Sequence, residues 1–456
     1  MALHKAKLKG GFKLPTCEKH FHDHDETWLI LKGRGTGYWI DHDGRREDFL
    51  LEEGDAWMIP AGFEHGSFGF KETGKNGEDF TIAVFNGTEA PGCQPPKHYY
   101  VEKEGYIPSL ELKRTPTNRY KISLNLPAKM RAVVFVEKGN AVLQEEPMPE
   151  CPPGHLLCQT LFSGVTNGTE RNVLLGGNYF GGTWPTRVGY QNVARVIETN
   201  GAAAGFGVGD LVYSGSGFGG NGGGHAGFYA VNPARPPLAN LLFIKLPPGV
   251  DPKHAALSGM ASVAVHDVRH AGIKLGEDVL VVGAGSVGLF TAQCAKAAGA
   301  KVVVCDVDDR RLGLARQLGA RQTFNTKDET GWAALLNRGP FDAVFEDSGA
   351  PILDKIIGLG YPDKGLIKRR GKVVMIAGRV RVDYSFNAAQ HVELTVIHAG
   401  HFVRSDLEEM ARLIAEGVIK IGPIIQDVLP IAEAPALYER LRDNPSSLIG
   451  TVFDWA

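Results

Sequence analysis

Net charge is almost absent from this chain of 456 residues, with 49 Lys and Arg set against 51 Asp and Glu. A formal charge of −2, with no block of like charge as long as five residues, gives no electrostatic footprint for nucleic acid or an anionic membrane surface. Long apolar runs are missing too: none approaches the roughly 18 residues that a membrane-spanning helix needs. Met1-Ala2-Leu3-His4-Lys5 leads into no apolar stretch, so no secretory signal is expected. The six cysteines (Cys17, Cys93, Cys151, Cys158, Cys294, Cys305) include no C-x-x-C pair. In a long chain without a secretion signal they read as free thiols, which places the protein in a reducing cytoplasm. Glycine, in contrast, is abundant: 58 residues, or about 13% against an average near 7%, point to tight turns and close backbone approaches.

The chain changes texture along its length. Residues 1–110 read as short strands separated by turns, including Thr27 to Ile40, a hairpin signal at Asp43-Gly44, and Thr81 to Phe85. That spacing suggests a small barrel or sandwich. Residues 113–129, with Pro116 and Pro127, read as a linker. Residues 130–260 favour strands and loops, and the segment 215–224, with seven glycines in ten residues, reads as an irregular loop. From 261 to 402 helical and strand signals alternate, which predicts βαβ units and a parallel sheet. The tail, 403–456, begins with a helix and ends in strand-like pieces.

Two constellations carry chemistry. In the first, His20 and His22 share one face of a strand because side chains repeat every second residue. Glu26 follows closely, and His65 comes after a Gly54-x5-Pro60-x-Gly62 turn. Three imidazoles and a carboxylate suit a divalent ion such as Zn, Fe, Mn, Ni or Co. The string H-x-H-x3-E-x6-G (His20, His22, Glu26, Gly33), followed by G-x5-P-x-G-x2-H (Gly54, Pro60, Gly62, His65), resembles the two cupin motifs. Gly69 stands where that family usually has Asn, which is not a ligand. The resemblance implies a β-barrel over residues 1–112 holding one metal on His20, His22, Glu26 and His65. His24 falls outside the family pattern and is at most a second layer around the ion.

The second constellation is Gly283-Ala284-Gly285-Ser286-Val287-Gly288, which follows the apolar run Val279–Val282 and opens a helical stretch. A further apolar run ends at Asp306, 18 residues after Gly288. A strand, a G-x-G-x-x-G turn, a helix and a following acid make a dinucleotide fingerprint. The glycines let the backbone approach a pyrophosphate at the helix N-terminus. Asp306 is expected to accept from the ribose hydroxyls and to repel a 2′-phosphate, which favours NAD over NADP, with Arg310 and Arg311 near enough to soften the preference.

From about Met130 onward the chain resembles the medium-chain dehydrogenase/reductase family. The likeness lies in Ser163 to Glu170 (SGVTNGTE), Gly207 to Val212, Leu246 to Val250, the fingerprint, and Arg311-Leu312-x3-Arg316-x2-Gly319-Ala320. It implies a GroES-like catalytic domain over 130–260, a Rossmann domain over 261–402, and a segment, 403–456, returning to the catalytic domain. The fold class is therefore multidomain: a β-barrel, a β-rich domain and an α/β domain. The departures matter more. Asn167, Tyr190 and Ser258 stand where zinc-dependent members carry ligands, and none is a good zinc ligand. No four-Cys lobe is present. The chain looks closest to the zinc-free branch that includes bacteriochlorophyllide dehydrogenase-like and sugar or polyol dehydrogenase-like proteins.

Without zinc, the substrate hydroxyl proton needs an organic base. Tyr190 is the first candidate and Glu170 the second, with Thr169 relaying through the ribose. The resemblance also places Ser262, together with Gly283, Gly285, Ser286, Val287, Gly288, Asp306 and Arg311, against the cofactor. His398 and His401 are further residues expected to face the cofactor, whereas His225 is read as structural. These features point to an NAD-dependent oxidation of a secondary alcohol on a sugar, cyclitol or polyol, or reduction of the ketone, fused to a metal-binding cupin that either acts on the same substrate or product or serves as a structural or substrate-recruiting module. The alternatives are an NADPH-dependent enone or quinone reductase and a non-catalytic sensor of dinucleotide and sugar. A dimer or tetramer of identical chains, with a small-molecule substrate as partner, is expected.

Overall fold

The computed structural model describes residues 3–7, 17–22, 26–32, 35–41, 45–60, 63–69, 81–86, 98–100, 126–179, 181–201, 205–215, 223–233, 242–247, 249–360 and 365–455. These fall into two compact units, Met1–Asn125 and Leu126–Ala456.

The first unit holds two antiparallel sheets. One orders the strands Leu3–Lys7, Thr81–Asn86, Glu26–Lys32 and Ala56–Ile59. The other orders Arg46–Leu51, Gly35–Ile40, Glu64–Gly69, Cys17–His22 and His98–Tyr100. Alternation puts Trp28 and Ile30 on one inner face, and they pack with Leu51, Trp57 and Ile59 in a single buried cluster that joins the two sheets. Trp28 meets Trp57 edge-on, with ring centroids 5.3 Å apart. Gly37 is required beneath that stack, because a Cβ there would stand 2.8 Å from the Trp57 ring. Arg46 pairs with Ile40 across the turn that contains Asp43-Gly44, two residues outside the described set.

The second unit combines a β-rich part with a parallel sheet. In the β-rich part a 7-stranded sheet runs in the order Leu242–Lys245, Leu211–Gly215, Asn192–Asn200, His155–Val165, Gly450–Asp454 and Ile425–Pro430, with Phe228–Val231 also paired to His155–Val165. The 6-stranded sheet contains Asp278–Val282, Lys301–Asp306, Gln322–Asn325, Phe341–Glu346, Ile367–Met375 and Thr395–His398. Numbered in chain order, these strands lie side by side as 3-2-1-4-5-6, all parallel. That is the doubly wound order, with a reversal beside strand 1 where ligands bind at the carboxyl ends. The strands read as unbroken apolar runs, such as Val302–Cys305, because helices cover both faces.

The chain-order borders are blurred by packing. The helix Ser258–Ala271 straddles residue 260, the expected end of the catalytic domain, and is buried almost throughout. The helix Arg404–Ala415 belongs to the same core as that helix and the parallel sheet, through Leu407, Met410 and Ala411. Only after it does the chain re-enter the β-rich part, where Gly450–Asp454 pairs antiparallel with His155–Val165. Among the described residues, no helix is long and apolar enough to cross a membrane.

Candidate functional site

The fingerprint glycines are each demanded by a close approach. Gly283 has φ +99°, and a Cβ there would stand 2.9 Å from the backbone nitrogen of Ser348. A Cβ on Gly288 would overlap the Gly283 carbonyl oxygen. Gly285 is the N-cap of the helix Ser286–Ala297, has open space beyond its Cα, and offers no side chain to satisfy the first amides. The first turn therefore presents unspent N–H donors and the positive end of the helix dipole, as an anion requires. Ser286 turns its hydroxyl away, to the Ile449 carbonyl at 2.6 Å, and Val287 is half-buried against the core.

Asp306 ends strand 2 and accepts from the backbone N–H of Ala284 at 2.6 Å and of Asp308 at 2.9 Å. These bonds fix its carboxylate beside the glycine loop. Arg311 stands 3.9 Å from Asp306 but spends its guanidinium on the carbonyls of Ser446 and Leu448. Arg310 pairs with Asp308 at the surface.

A chain of hydroxyls lies in the β-rich part of the same unit. Thr166 and Thr169 both hydrogen-bond the Tyr190 phenol. Burial is the main reason that phenol is pushed up to about 12, and the bonds to Thr166 and Thr169 act against the shift. Gln191 donates to Thr166 Oγ1 at 3.0 Å and accepts from the Met260 amide at 2.9 Å. The ring of His401, which follows strand 6, meets Tyr190 edge-on at 6.2 Å. His398 is exposed. Ser262 is fully buried and donates to the Ser258 carbonyl at 2.7 Å, so its hydroxyl is turned inward along its own helix.

Glu170 lies behind this chain, fully buried. It accepts from the Thr166 amide at 2.7 Å and from the Tyr438 hydroxyl at 2.5 Å, and His225 Nε2 stands 3.2 Å away. The other ring nitrogen of His225 meets Ser163 Oγ at 2.7 Å, and that oxygen also accepts from the Trp455 indole at 2.8 Å. A carboxylate so enclosed anchors the start of the helix Asn167–Leu174.

Asn167 donates to the Ile449 carbonyl at 2.9 Å. Its Oδ1, like the Ser258 hydroxyl, is buried without a hydrogen-bond partner. Cys158 and Cys305 are buried thiols pushed up to about 12, chiefly by desolvation, and so stay protonated at neutral pH.

Two residues that the sequence reading did not single out lie at the same end of the sheet. Arg379 follows strand 5, and Tyr179 comes from the loop after the helix Asn167–Leu174. A Cβ on Gly378 would overlap the Tyr179 hydroxyl, so the phenol rests directly on the backbone before Arg379. The detectable signal was position: a Gly-Arg step immediately beyond a parallel strand lies where ligands bind.

In the first unit, Glu26 and His65 converge. His65 Nε2 stands 3.6 Å from Glu26 Oε2, and both are buried. His65 Nδ1 faces the Phe63 carbonyl at 3.0 Å, while Glu26 accepts from the Trp28 indole at 2.7 Å. His20 is the cross-strand partner of His65, and His22 lies two residues further along the same strand. The side chains of His20 and His22 lie outside the described set, and His24 lies outside it altogether. Among the described residues, no group of three His, Cys, Asp or Glu is placed to hold a metal.

Residues 286–416 match the family model for zinc-binding dehydrogenases. A 2-dehydro-3-deoxy-L-galactonate 5-dehydrogenase from Pseudoalteromonas atlantica is 33% identical over 210 residues, covering 45% of this chain and 59% of the relative's own length. Sorbitol dehydrogenase 2 from Saccharomyces cerevisiae is 26% identical over 341 residues, covering 68% of this chain and 93% of that protein. The crystal structure of 2R,3R-butanediol dehydrogenase from Bacillus subtilis superposes with a TM-score of 0.62 at 21% identity, over 72% of this chain and 100% of that one, which shows the shared fold.

Proposed function

From the premise that the chain belongs, in its second unit, to the zinc-binding dehydrogenase family, we propose that it is an NAD-dependent oxidoreductase that interconverts a secondary alcohol of a polyol or sugar-like molecule with its ketone, using side chains in place of zinc. One juxtaposition carries the reading: a dinucleotide cradle at Gly283, Gly285, Gly288 and Asp306 in the same unit as a buried hydroxyl chain through Thr169, Tyr190 and Thr166.

The residues fit the cofactor. The amides after Gly285 take the pyrophosphate, and Asp306 takes the ribose hydroxyls and disfavours a 2′-phosphate. When bound, the nicotinamide supplies the hydride acceptor or donor. The residues do not fit the family's metal. Asn167, Tyr190 and Ser258 offer an amide, a neutral phenol and an aliphatic hydroxyl, where zinc takes thiolate, imidazole or carboxylate. The proton chemistry therefore falls to Tyr190, which stays protonated at neutral pH and donates to the carbonyl oxygen in the reducing direction. In oxidation its phenolate takes the hydroxyl proton. Thr169 and Thr166 hold the phenol oxygen in place, and Glu170 holds the helix that carries Thr169.

For the first unit the proposal is a cupin barrel that binds a divalent metal through His20, His22, Glu26 and His65. The His65–Glu26 approach and the register partnership of His20 with His65 support it. The Phe63 carbonyl favours a proton on Nδ1, which makes Nε2 the ring nitrogen that carries a lone pair. The purified full chain should reduce NAD with a secondary polyol and carry about one equivalent of metal by elemental analysis. Replacing His20 and His22 together by Ala should remove the metal and leave NAD reduction in place. Loss of both together would show that the ion serves the dehydrogenase instead.

A further inference from the structure

The proposed reaction leaves one strong hydrogen-bond donor unused. Arg379 is three-quarters enclosed or more, its side chain being 15% exposed. Its Nε donates to the Ala377 carbonyl at 3.0 Å, and its Nη2 pairs with Glu346. Its Nη1 makes no hydrogen bond among the described residues.

The pairing with Glu346 does not exhaust the guanidinium. Glu346 is fully buried at the end of strand 4, and its Oε1 already accepts from the backbone amides of Ser348 and Gly349, at 3.0 Å each, and from the Ser348 hydroxyl. Three donors solvate that carboxylate independently of Arg379. They act as a short anion nest, and Glu346 in turn orients the planar guanidinium fork. A fork held on one edge and open on the other is arranged for a second planar anion.

Position identifies that anion. The sheet order places strand 5, which leads to Arg379, three strands away from strand 2, which ends at Asp306. At roughly 4.8 Å per strand this is about 14 Å, too far for Arg379 to serve the adenosine end of the cofactor. Strand 6 is its neighbour, and His401 after that strand meets the proposed acid-base Tyr190. Tyr179, whose hydroxyl rests on Gly378, is an electrostatic neighbour of both Arg379 and Tyr190. Arg379 and the Tyr179 phenol thus lie beside the reacting centre, where the remote end of a short substrate would reach.

We propose that Arg379, with the Tyr179 hydroxyl beside it, is an anion-recognition site, and that the substrate is a polyhydroxy carboxylate of the aldonate class. Arg379 Nη1 donates to one carboxylate oxygen and the Tyr179 hydroxyl donates to the other. The Asn172 side chain keeps the Tyr179 loop in place by accepting from the Tyr179 amide at 2.9 Å. The assignment rests on the dehydrogenase reading above and narrows it from polyols at large to their acids.

The test pairs each polyol with its acid on the full chain: sorbitol with gluconate, galactitol with galactonate, xylitol with xylonate. At least one acid should show a kcat/KM at least tenfold above its polyol. In Arg379→Gln that preference should fall at least tenfold, mainly through KM, and Arg379→Lys should restore part of it. Because Arg379→Gln leaves Glu346 with one donor fewer, NADH binding by fluorescence serves as the check on folding, and the Tyr179→Phe variant, which leaves that pair intact, should also lower the preference. Calorimetric titration of gluconate, galactonate and xylonate into the NADH complex gives a readout without turnover: at least one should bind the wild type at least tenfold more tightly than Arg379→Gln. Polyols preferred over acids, or an acid preference unmoved by Arg379→Gln, would overturn the assignment and leave the dehydrogenase reading standing. Weakened NADH binding with unchanged acid preference would also overturn it, by assigning Arg379 to the cofactor. Failure of any alcohol, neutral or acidic, to reduce NAD would instead sink the dehydrogenase reading itself.

Discussion

Tyr190→Phe, read across pH in both reaction directions, puts the proton chemistry to its strictest test. Burial pushes the Tyr190 phenol up to about 12, which leaves it neutral over the working range. Oxidation needs the phenolate, whose fraction falls tenfold for each pH unit below that value. It is about 10⁻⁵ at pH 7 and about 10⁻² at pH 10, so kcat/KM for alcohol oxidation should climb roughly a thousand-fold between them, with unit slope. Ketone reduction uses the neutral phenol and should stay flat over the same interval. The difference of one in slope is required because alcohol oxidation releases a proton, and the equilibrium itself moves tenfold per pH unit. A base already deprotonated across that interval would put the slope on the other limb, with oxidation flat and reduction falling. Removing the phenol should cost both directions about 10²–10⁴-fold, the usual contribution of a positioned acid or base. Steady-state assays with NAD plus alcohol, and with NADH plus ketone, measure both limbs. A flat oxidation profile, or Tyr190→Phe activity within twofold of wild type, would refute the reasoning.

Other consequences are equally concrete. Gly288→Ala drives a Cβ into the Gly283 carbonyl, an overpacking worth about 1–3 kcal/mol, so NADH binding should weaken by tenfold or more while the circular dichroism spectrum is kept. Asp306→Asn removes the charge opposed to a 2′-phosphate, and the ratio of NADH to NADPH affinity should fall several-fold. Asp267 is 1% exposed, has no hydrogen-bond partner among the described residues, and is pushed up to about 8 by desolvation and then by Asp406. The folded state therefore holds a proton that the unfolded state gives up, so stability is full below about pH 4 and is lost as pH rises toward 8, by roughly 4 kcal/mol at pH 7. Asp267→Asn should flatten that decline, and parallel curves of Tm against pH for the two proteins would count against it.

What could be read in the sequence was what is local. The fingerprint occupies six consecutive residues, and its answering acid stands one strand and one helix away, so spacing alone placed Gly283 to Asp306. Tyr190 was singled out because the resemblance sets it where zinc-dependent members carry a ligand. The partners of these residues were not legible. Glu170 meets Tyr438 across 268 residues of chain, and His225 reaches Glu170 across 55. Tyr179 meets Gly378 only because the loop after one helix docks on the far end of a parallel strand. Such pairs carry no periodicity and no motif, since the sequence constrains each member through its own strand or helix. The border expected at residue 260 falls inside the buried helix Ser258–Ala271, whose amphipathic pattern does not mark which sheet it serves.

The proposed mechanism gives a single phenol the part that a metal would play, and the orientation of hydrogen bonds around Tyr190 supports that reading. The Met260 amide can only donate, so the Gln191 oxygen that accepts from it fixes the Gln191 side-chain amide. Gln191 Nε2 must then donate to Thr166 Oγ1, which leaves the Thr166 hydroxyl hydrogen to be given to the Tyr190 oxygen. The phenol thus receives one bond from Thr166 and hydrogen-bonds Thr169 as well. A donated hydrogen bond stabilises phenolate more than phenol, so the same Thr166 contact that positions the ring also works against the rise imposed by burial. Glu170 stands behind this line and accepts from the Thr166 amide, which fixes the backbone that carries the hydroxyl. The direction set at Met260 is therefore transmitted through two side chains to the reacting oxygen. A metal would polarise that oxygen by charge, whereas in the proposed mechanism the polarity comes from a backbone donor whose orientation the fold cannot reverse.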